Sequence, residues 1–143
     1  MKSATGMIVA SRNEIFQYLE DFSTWAVWHS ELEGCILPHG VAFGSKGWLL
    51  TPGGKRRFTV VHVDYPNSLS LALKLPFASV ILDSRLRQTR DMTETTIRAR
   101  FVGPLGIIYS KRSQVRLQKL VDRTLDNLTR VAETGLFNGI LEE

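Results

Sequence analysis

Between Gly34 and Phe101 the chain breaks into short stretches rich in Val, Leu, Ile, Phe and Thr, separated by closely spaced turn signals. The turns are Pro38-His39-Gly40, Thr51-Pro52-Gly53-Gly54, Asp64-Tyr65-Pro66-Asn67 and Arg90-Asp91-Met92. The stretches are too short for helices, and their β-branched and aromatic side chains suit a pleated, half-buried surface. Connections of a few residues cannot carry a parallel crossover, so the strands must pair antiparallel, as a meander. Pro76, between two apolar runs, predicts a bend or strand boundary because proline cannot donate to a ladder. A sheet built this way has one face to bury and needs a partner layer.

Period-two alternation tells which side chains share a face. Val80, Leu82, Ser84 and Leu86 fall on one side of their strand, with Ile81, Asp83, Arg85 and Arg87 on the other. In the next strand Thr95, Ile97, Ala99 and Phe101 oppose Thr96, Arg98 and Arg100. The arginines are therefore predicted to gather on an outward face, with a buried face behind them. Ile81 is out of place among them. Ser84 and Thr95 are polar residues on the inner face, placed to hydrogen-bond a ligand or each other.

The partner layer comes from the C-terminal part. After Gly103-Pro104-Leu105-Gly106, a helix is predicted from about Ile107 to Glu133. Leu117, Leu120, Val121, Thr124, Leu125, Leu128, Val131 and Ala132 form its buried stripe. Arg112, Arg116, Lys119, Asp122, Arg123, Asp126 and Arg130 lie opposite. Tracing the stripe backwards at ~100° per residue brings Ser110, Ser113 and Gln114 onto it. A stripe that turns polar in its first turns either lines a wet or ligand-filled space or is an exposed helix end. Gly135 is placed to end the helix.

At the other end, Met7 to Ala10 reads as the close of a first strand. Ser11-Arg12-Asn13-Glu14 matches a capping box, opening a helix that buries Ile15, Phe16 and Leu19. A second short helix is predicted from around Ser23, carrying Trp25, Trp28, His29 and Leu32 at three- and four-residue spacing.

No repeat, low-complexity tract or linker interrupts the 143 residues, so one domain is expected over 1–134, with 135–143 as an apolar tail. That tail, Gly135-Leu136-Phe137-Asn138-Gly139-Ile140-Leu141, suits packing over a cavity mouth or a homodimer contact. Hydrophobic residues at 43% and charged residues at 22% belong to a globular chain, not a disordered one. No apolar run approaches the ~20 residues that cross a bilayer, and no signal-peptide core precedes the fold. Cys35 stands alone, so a reducing, cytoplasmic setting is expected.

The net charge of +4 raises the question of a nucleic-acid partner. Clustering is too weak to support one: Lys55-Arg56-Arg57 and the Arg85/Arg87 and Arg98/Arg100 pairs predict a solvated basic face. Cys35 and His39 would lie ~13 Å apart in an extended chain, and no CxxC or HxxxH spacing occurs, so no metal site is expected. Gly40 to Gly47 lacks GK[ST] and a following helix, so it is not a phosphate loop, and no cofactor is expected. No Ser-His-Asp or Cys-His arrangement stands out.

Several local sequences resemble one family. Ser11-Arg12-Asn13-Glu14-Ile15-Phe16-Gln17-Tyr18-Leu19 is similar to its opening "x-x-x-E-V-F" helix, and Phe22-Ser23-Thr24-Trp25-Ala26-Val27-Trp28 to its tryptophan-bearing second helix. Gly44-Ser45-Lys46-Gly47 resembles the glycine pair opening its third strand. Val61-His62-Val63-Asp64-Tyr65-Pro66 resembles its "V-x-x-V-x-x-P" strand end. Thr95-Thr96-Ile97 running into Gly103-Pro104-Leu105-Gly106 looks like its last strand before the long helix. Together they resemble the START-like superfamily, which includes the polyketide cyclase/dehydrase families. The resemblance covers about Met7 to Ala132.

It implies an α+β helix-grip fold, a curved antiparallel sheet wrapped around a long C-terminal helix, with two short helices after the first strand. It also implies an internal cavity for a small apolar or aromatic molecule. Its expected apolar walls are Trp25, Trp48, Phe101 and Leu117, and its polar contacts His29, Ser84, Ser113 and Gln114. None of the motifs is catalytic, and fold alone does not assign function. An enzyme reading makes the protein a cyclase or dehydratase of polyketide-type substrates with His29 as acid/base. A third reading is a protein-interaction module without a ligand.

Overall fold

The computed structural model describes residues 2–21, 25, 33–37, 42–52, 54–75, 78–103 and 111–134, without the side chains of 75, 78 and 111–113. Three of the turns predicted in its middle part, at 51–54, 64–67 and 90–92, do connect antiparallel strands. β2 (Gly34–Ile36), β3 (Lys46–Thr51), β4 (Gly54–Asp64), β5 (Ser68–Leu75), β6 (Ala78–Gln88) and β7 (Thr93–Val102) are hydrogen-bonded in sequence order. At the β3–β4 turn Thr51 pairs with Gly54, and its hydroxyl donates to the Gly54 carbonyl at 2.7 Å. Thr89 N–H closes the β6–β7 turn onto Met92 O at 2.9 Å. β5 and β6 meet at Leu75 and Ala78, on either side of the boundary that Pro76 predicts.

β1 (Lys2–Ile8) adds the seventh strand by crossing back to β7, with Lys2 opposite Ala99 and Ile8 opposite Thr93. The sheet order is β1-β7-β6-β5-β4-β3-β2, antiparallel throughout. The result is the predicted α+β helix-grip architecture.

Among the described residues two helices cover the inner face. α1 (Arg12–Glu20) starts where the capping signal places it: Ser11 Oγ accepts from Glu14 N–H at 3.3 Å. It buries the predicted Ile15, Phe16 and Leu19. Arg12 anchors its start, donating from N–H to Gln88 Oε1 at 2.9 Å and from Nη1 to Asn67 Oδ1 at 2.7 Å. The Phe16 ring meets Tyr65 edge-on, with centroids 5.1 Å apart, so α1 is tied to the β4–β5 turn.

α2 (Lys111–Thr134) lies against β1 and β7 and touches α1. Its stripe is buried as predicted, with Leu117, Val121, Thr124, Leu125, Leu128, Val131 and Ala132 in the interior and Leu120 half-buried. Leu125 of the helix packs over Gly6 of β1, at ordinary van der Waals distance from where a Cβ would stand. Glu133 Oε2 accepts from Val9 N–H at 2.9 Å and ties the end of α2 to the end of β1.

No helix among the described residues is long and apolar enough to cross a membrane. The predicted helix start near Ile107, the second short helix apart from Trp25, the Pro38-His39-Gly40 turn and the 135–143 tail lie outside the described residues.

Candidate functional site

The inner sheet face and the apolar stripe of α2 enclose the core, so a ligand held between them would meet the side chains of both. Alternation supplies the floor: Val80, Leu82, Ser84 and Leu86 from β6, and Thr93, Thr95, Ile97 and Ala99 from β7, are all buried. Phe58 and Val60 of β4 and Leu69 and Leu71 of β5 extend it, each at most 2% exposed.

Four buried polar side chains interrupt this apolar surface: Ser84, Thr93, Thr95 and Thr124. Two of them donate to backbone carbonyls. Thr93 Oγ1 donates to Ala10 O at 2.8 Å, and Thr124 Oγ1 to Leu120 O at 2.7 Å, one turn back along α2. Thr95 differs, because its fully buried Oγ1 has no hydrogen-bond partner. It sits in the inner row between Gly6 and Leu86, diagonal to Ser84, which pairs with Ile97. The two hydroxyls do not bond to each other, although the sequence left that pairing open. An unpartnered buried hydroxyl costs about 1–3 kcal/mol, so native interiors rarely keep one without a use.

The residues expected from the sequence are distributed as follows. Trp25 is a core side chain, 3% exposed, whose Nε1 donates to Leu19 O at 2.9 Å. Leu117 is buried in the stripe, while Phe101 and Gln114 are half-buried at the ends of β7 and α2. Ser84 lies on the inner floor. Trp48 is on the opposite face: it is 37% exposed, stands opposite Ile36 and Arg57, and carries the Arg57 guanidinium 4.9 Å above its ring. Its cation–π contact is a surface one. His29 and the Ser113 side chain lie outside the described residues.

Chemistry elsewhere is limited. Among the described residues no three His, Cys, Asp or Glu side chains gather as a metal set. Cys35 on β2 is a free thiol whose pKa burial pushes up from 9.0 to about 12. A thiol held protonated is a poor nucleophile. Alkylation by iodoacetamide is accordingly expected to keep accelerating above pH 9 in the folded protein, where a urea-unfolded sample has levelled off. Coincident profiles would overturn the assignment. The sign for stability follows: above pH 9 the unfolded chain loses the thiol proton first, so this group costs stability as pH rises toward 12.

Comparison with known proteins matches this architecture. No curated protein matches the sequence. Among solved structures, the di-domain ARO/CYC StfQ from the steffimycin biosynthetic pathway superposes with a TM-score of 0.72 at 12% identity, over 94% of this chain and 45% of that one. DynU16 from the dynemicin biosynthetic locus gives 0.73 at 16% identity, over 94% and 47%. The Aha1 dimer from Colwellia psychrerythraea gives 0.70 at 14% identity, over 94% and 96%. The chain thus spans about half the length of the first two, and at these identities the likeness is one of fold. The family model for polyketide cyclase/dehydrase and lipid transport proteins matches residues 3–133. The chain belongs to the polyketide cyclase/dehydrase and lipid transport family.

Proposed function

We propose that the protein holds a small apolar or aromatic molecule between the inner sheet face and α2, with Thr95 and Ser84 as its polar contacts. The unpartnered Thr95 hydroxyl carries this reading: a buried oxygen without a partner gains most from a ligand oxygen or nitrogen that reaches it. Leu117 and Phe101 are the apolar walls, Gln114 a polar contact near the start of α2, and Ser113 and His29 further contacts. Trp25 acts from behind the wall, fixed through its bond to Leu19. Burial of ligand surface at ~25 cal/mol per Å² supports micromolar affinity after ordering costs.

The test is native mass spectrometry of the purified chain, followed by denaturing extraction of whatever co-purifies. A near-stoichiometric apolar metabolite is expected in the wild type. Thr95→Val is nearly isosteric and removes the hydroxyl. It is expected to raise the stability of the empty protein by up to about 1–3 kcal/mol while weakening retention of the metabolite roughly tenfold. Unchanged retention in Thr95→Val, or an empty wild type that also fails to brighten an apolar dye, would sink the proposal.

The family description supports a cyclase or dehydratase reading, for which His29 is the proposed acid/base. Incubation with a substrate analogue separates it from passive binding: a product that has lost water, or an isomer of equal mass with a shifted retention time, marks turnover, and an analogue returned unchanged in both marks cargo. A cytoplasmic protein that pairs with a second copy through the 135–143 tail completes the proposal. The dimeric state of the Aha1 relative supports that pairing.

A further inference from the structure

The outer face of the sheet has a chemistry of its own. Two shallow depressions of about 550 and 410 Å³ indent it over β4–β7, and they share His62, Arg85 and Arg98. Cross-strand register builds them. Arg98 stands opposite Asp83, Arg100 opposite Ile81, Arg85 opposite Thr96 and Arg87 opposite Glu94. A bulge between Val60 and His62 leaves Val61 without a partner on β5 and sets His62 beside it on the same outer face, with Val61 36% exposed. Val61 and Ile81 therefore give the smaller depression an apolar floor beneath its charged rim. This accounts for Ile81 on a face that is otherwise polar.

The positions of the carboxylates decide what the rim can do. Asp83 is engaged on both oxygens: Oδ2 accepts from Arg85 Nε at 2.8 Å, and Oδ1 from Ser70 Oγ at 2.6 Å. Glu94 Oε2 accepts from Arg87 Nη2 at 2.9 Å. Among the described residues Arg98 and Arg100 form no ion pair. Sequence alone predicts a solvated basic face here. The pairing pattern instead leaves two arginines without a carboxylate partner, two residues apart on one face of one strand, with backbone positions ~7 Å apart along it. A guanidinium fork matches the oxygens of a phosphate or carboxylate, and a partly apolar, half-sheltered floor weakens competition from water.

We propose that this outer face binds a small polyanion bearing two or more phosphate or carboxylate groups. Arg98 and Arg100 clamp the anionic groups, while Arg85 and His62 line the rim. The site is independent of the interior one and stands or falls separately from it.

The probes are inorganic pyrophosphate and citrate, each titrated into the full chain at low salt, with calorimetry for affinity and amide chemical shifts for location. Saturable binding of at least one is expected, with shifts confined to β4–β7 and affinity falling as salt is added. Preference for pyrophosphate would identify a phosphorylated ligand, and preference for citrate a polycarboxylate. The Arg98→Gln/Arg100→Gln variant is expected to lose about tenfold or more in affinity. Arg98→Lys/Arg100→Lys keeps the charge without the fork and is expected to fall between it and wild type. Should the glutamine pair fail to fold, the lysine pair alone still reads the site. Arg116→Gln/Lys119→Gln removes two exposed charges from α2 and is expected to bind as wild type. Neither probe saturating at up to about 10 mM, a concentration at which even weak specific sites fill, would overturn the proposal. So would an equal loss in the α2 control, which would reduce the effect to net charge.

Discussion

Phe58→Ala is expected to lower the free energy of unfolding by about 3–5 kcal/mol, a large part of the ~5–15 kcal/mol that holds a domain together. The ring is fully buried at the centre of the inner face, in register with Gly47 on β3 and Leu73 on β5. Its removal leaves a cavity between two strands that hydrogen bonds hold at fixed spacing, so the site can collapse only slightly. Trp48 is the natural control. It is larger and on the adjacent strand, but it lies on the outer face with its ring against Arg57. Trp48→Ala is expected to cost under about 1 kcal/mol, the scale of an exposed cation–π contact. Urea unfolding with unchanged m-values measures both. Equal losses would mean that Trp48 packs on the core side and that the face assignment of β3 is inverted.

Gly47→Ala is expected to destabilise by about 1–3 kcal/mol, even though the change adds one methyl group at a buried site. An added Cβ would collide with the Ile36 carbonyl oxygen and would stand 2.8 Å from both Cε1 and Cζ of Phe58. The ring can turn aside at some cost, but the carbonyl belongs to β2 and cannot move without disturbing the β2–β3 ladder. Combining Gly47→Ala with Phe58→Leu is therefore expected to recover only part of the loss. Full recovery would show that the ring was the sole obstacle, and a neutral single variant would show that β2 is not seated on Gly47 at all.

These two residues also explain why Trp48, expected as a cavity wall, stands on the outer face. Lys46-Gly47-Trp48-Leu49-Leu50-Thr51 offers two faces, Trp48 with Leu50 or Gly47 with Leu49, and apolar bulk favours the first. The fold chooses the second, because the bare backbone at Gly47 is what lets β2 and the Phe58 ring approach. Here it is the side chain Gly47 lacks, not one it has, that selects the inner face.

Where a signal was local, the sequence was sufficient. The capping serine, the α1 anchors Ile15, Phe16 and Leu19, the α2 stripe and the two-faced alternation of β6 and β7 depend only on neighbours within a few residues. They placed Ser84, Phe101 and Leu117 on the core side before any tertiary contact was known. Whether a hydroxyl finds a partner is not a local property. Thr93, Thr95 and Thr124 look alike in sequence, yet Thr93 reaches Ala10 O, Thr124 reaches back along its own helix, and Thr95 reaches nothing.

The same holds for charge. Arg85, Arg87, Arg98 and Arg100 were legible as outward residues, but which two would keep a free guanidinium depended on register and on Ser70 reaching Asp83. The amino-acid order by itself determined the strands of the middle part, the turns among the described residues, the start of α1 and the faces of β6, β7 and α2, because short-range periodicity encodes them. The first strand closes at Ile8, two residues before the Ala10 expected from sequence. Tertiary structure alone decided the return of β1 to β7, the bulge at Val61, the face of Trp48 and the pairing of the arginines. Each of those depends on backbone groups or side chains far apart in the chain, whose hydrogen bonds and close contacts leave no local pattern.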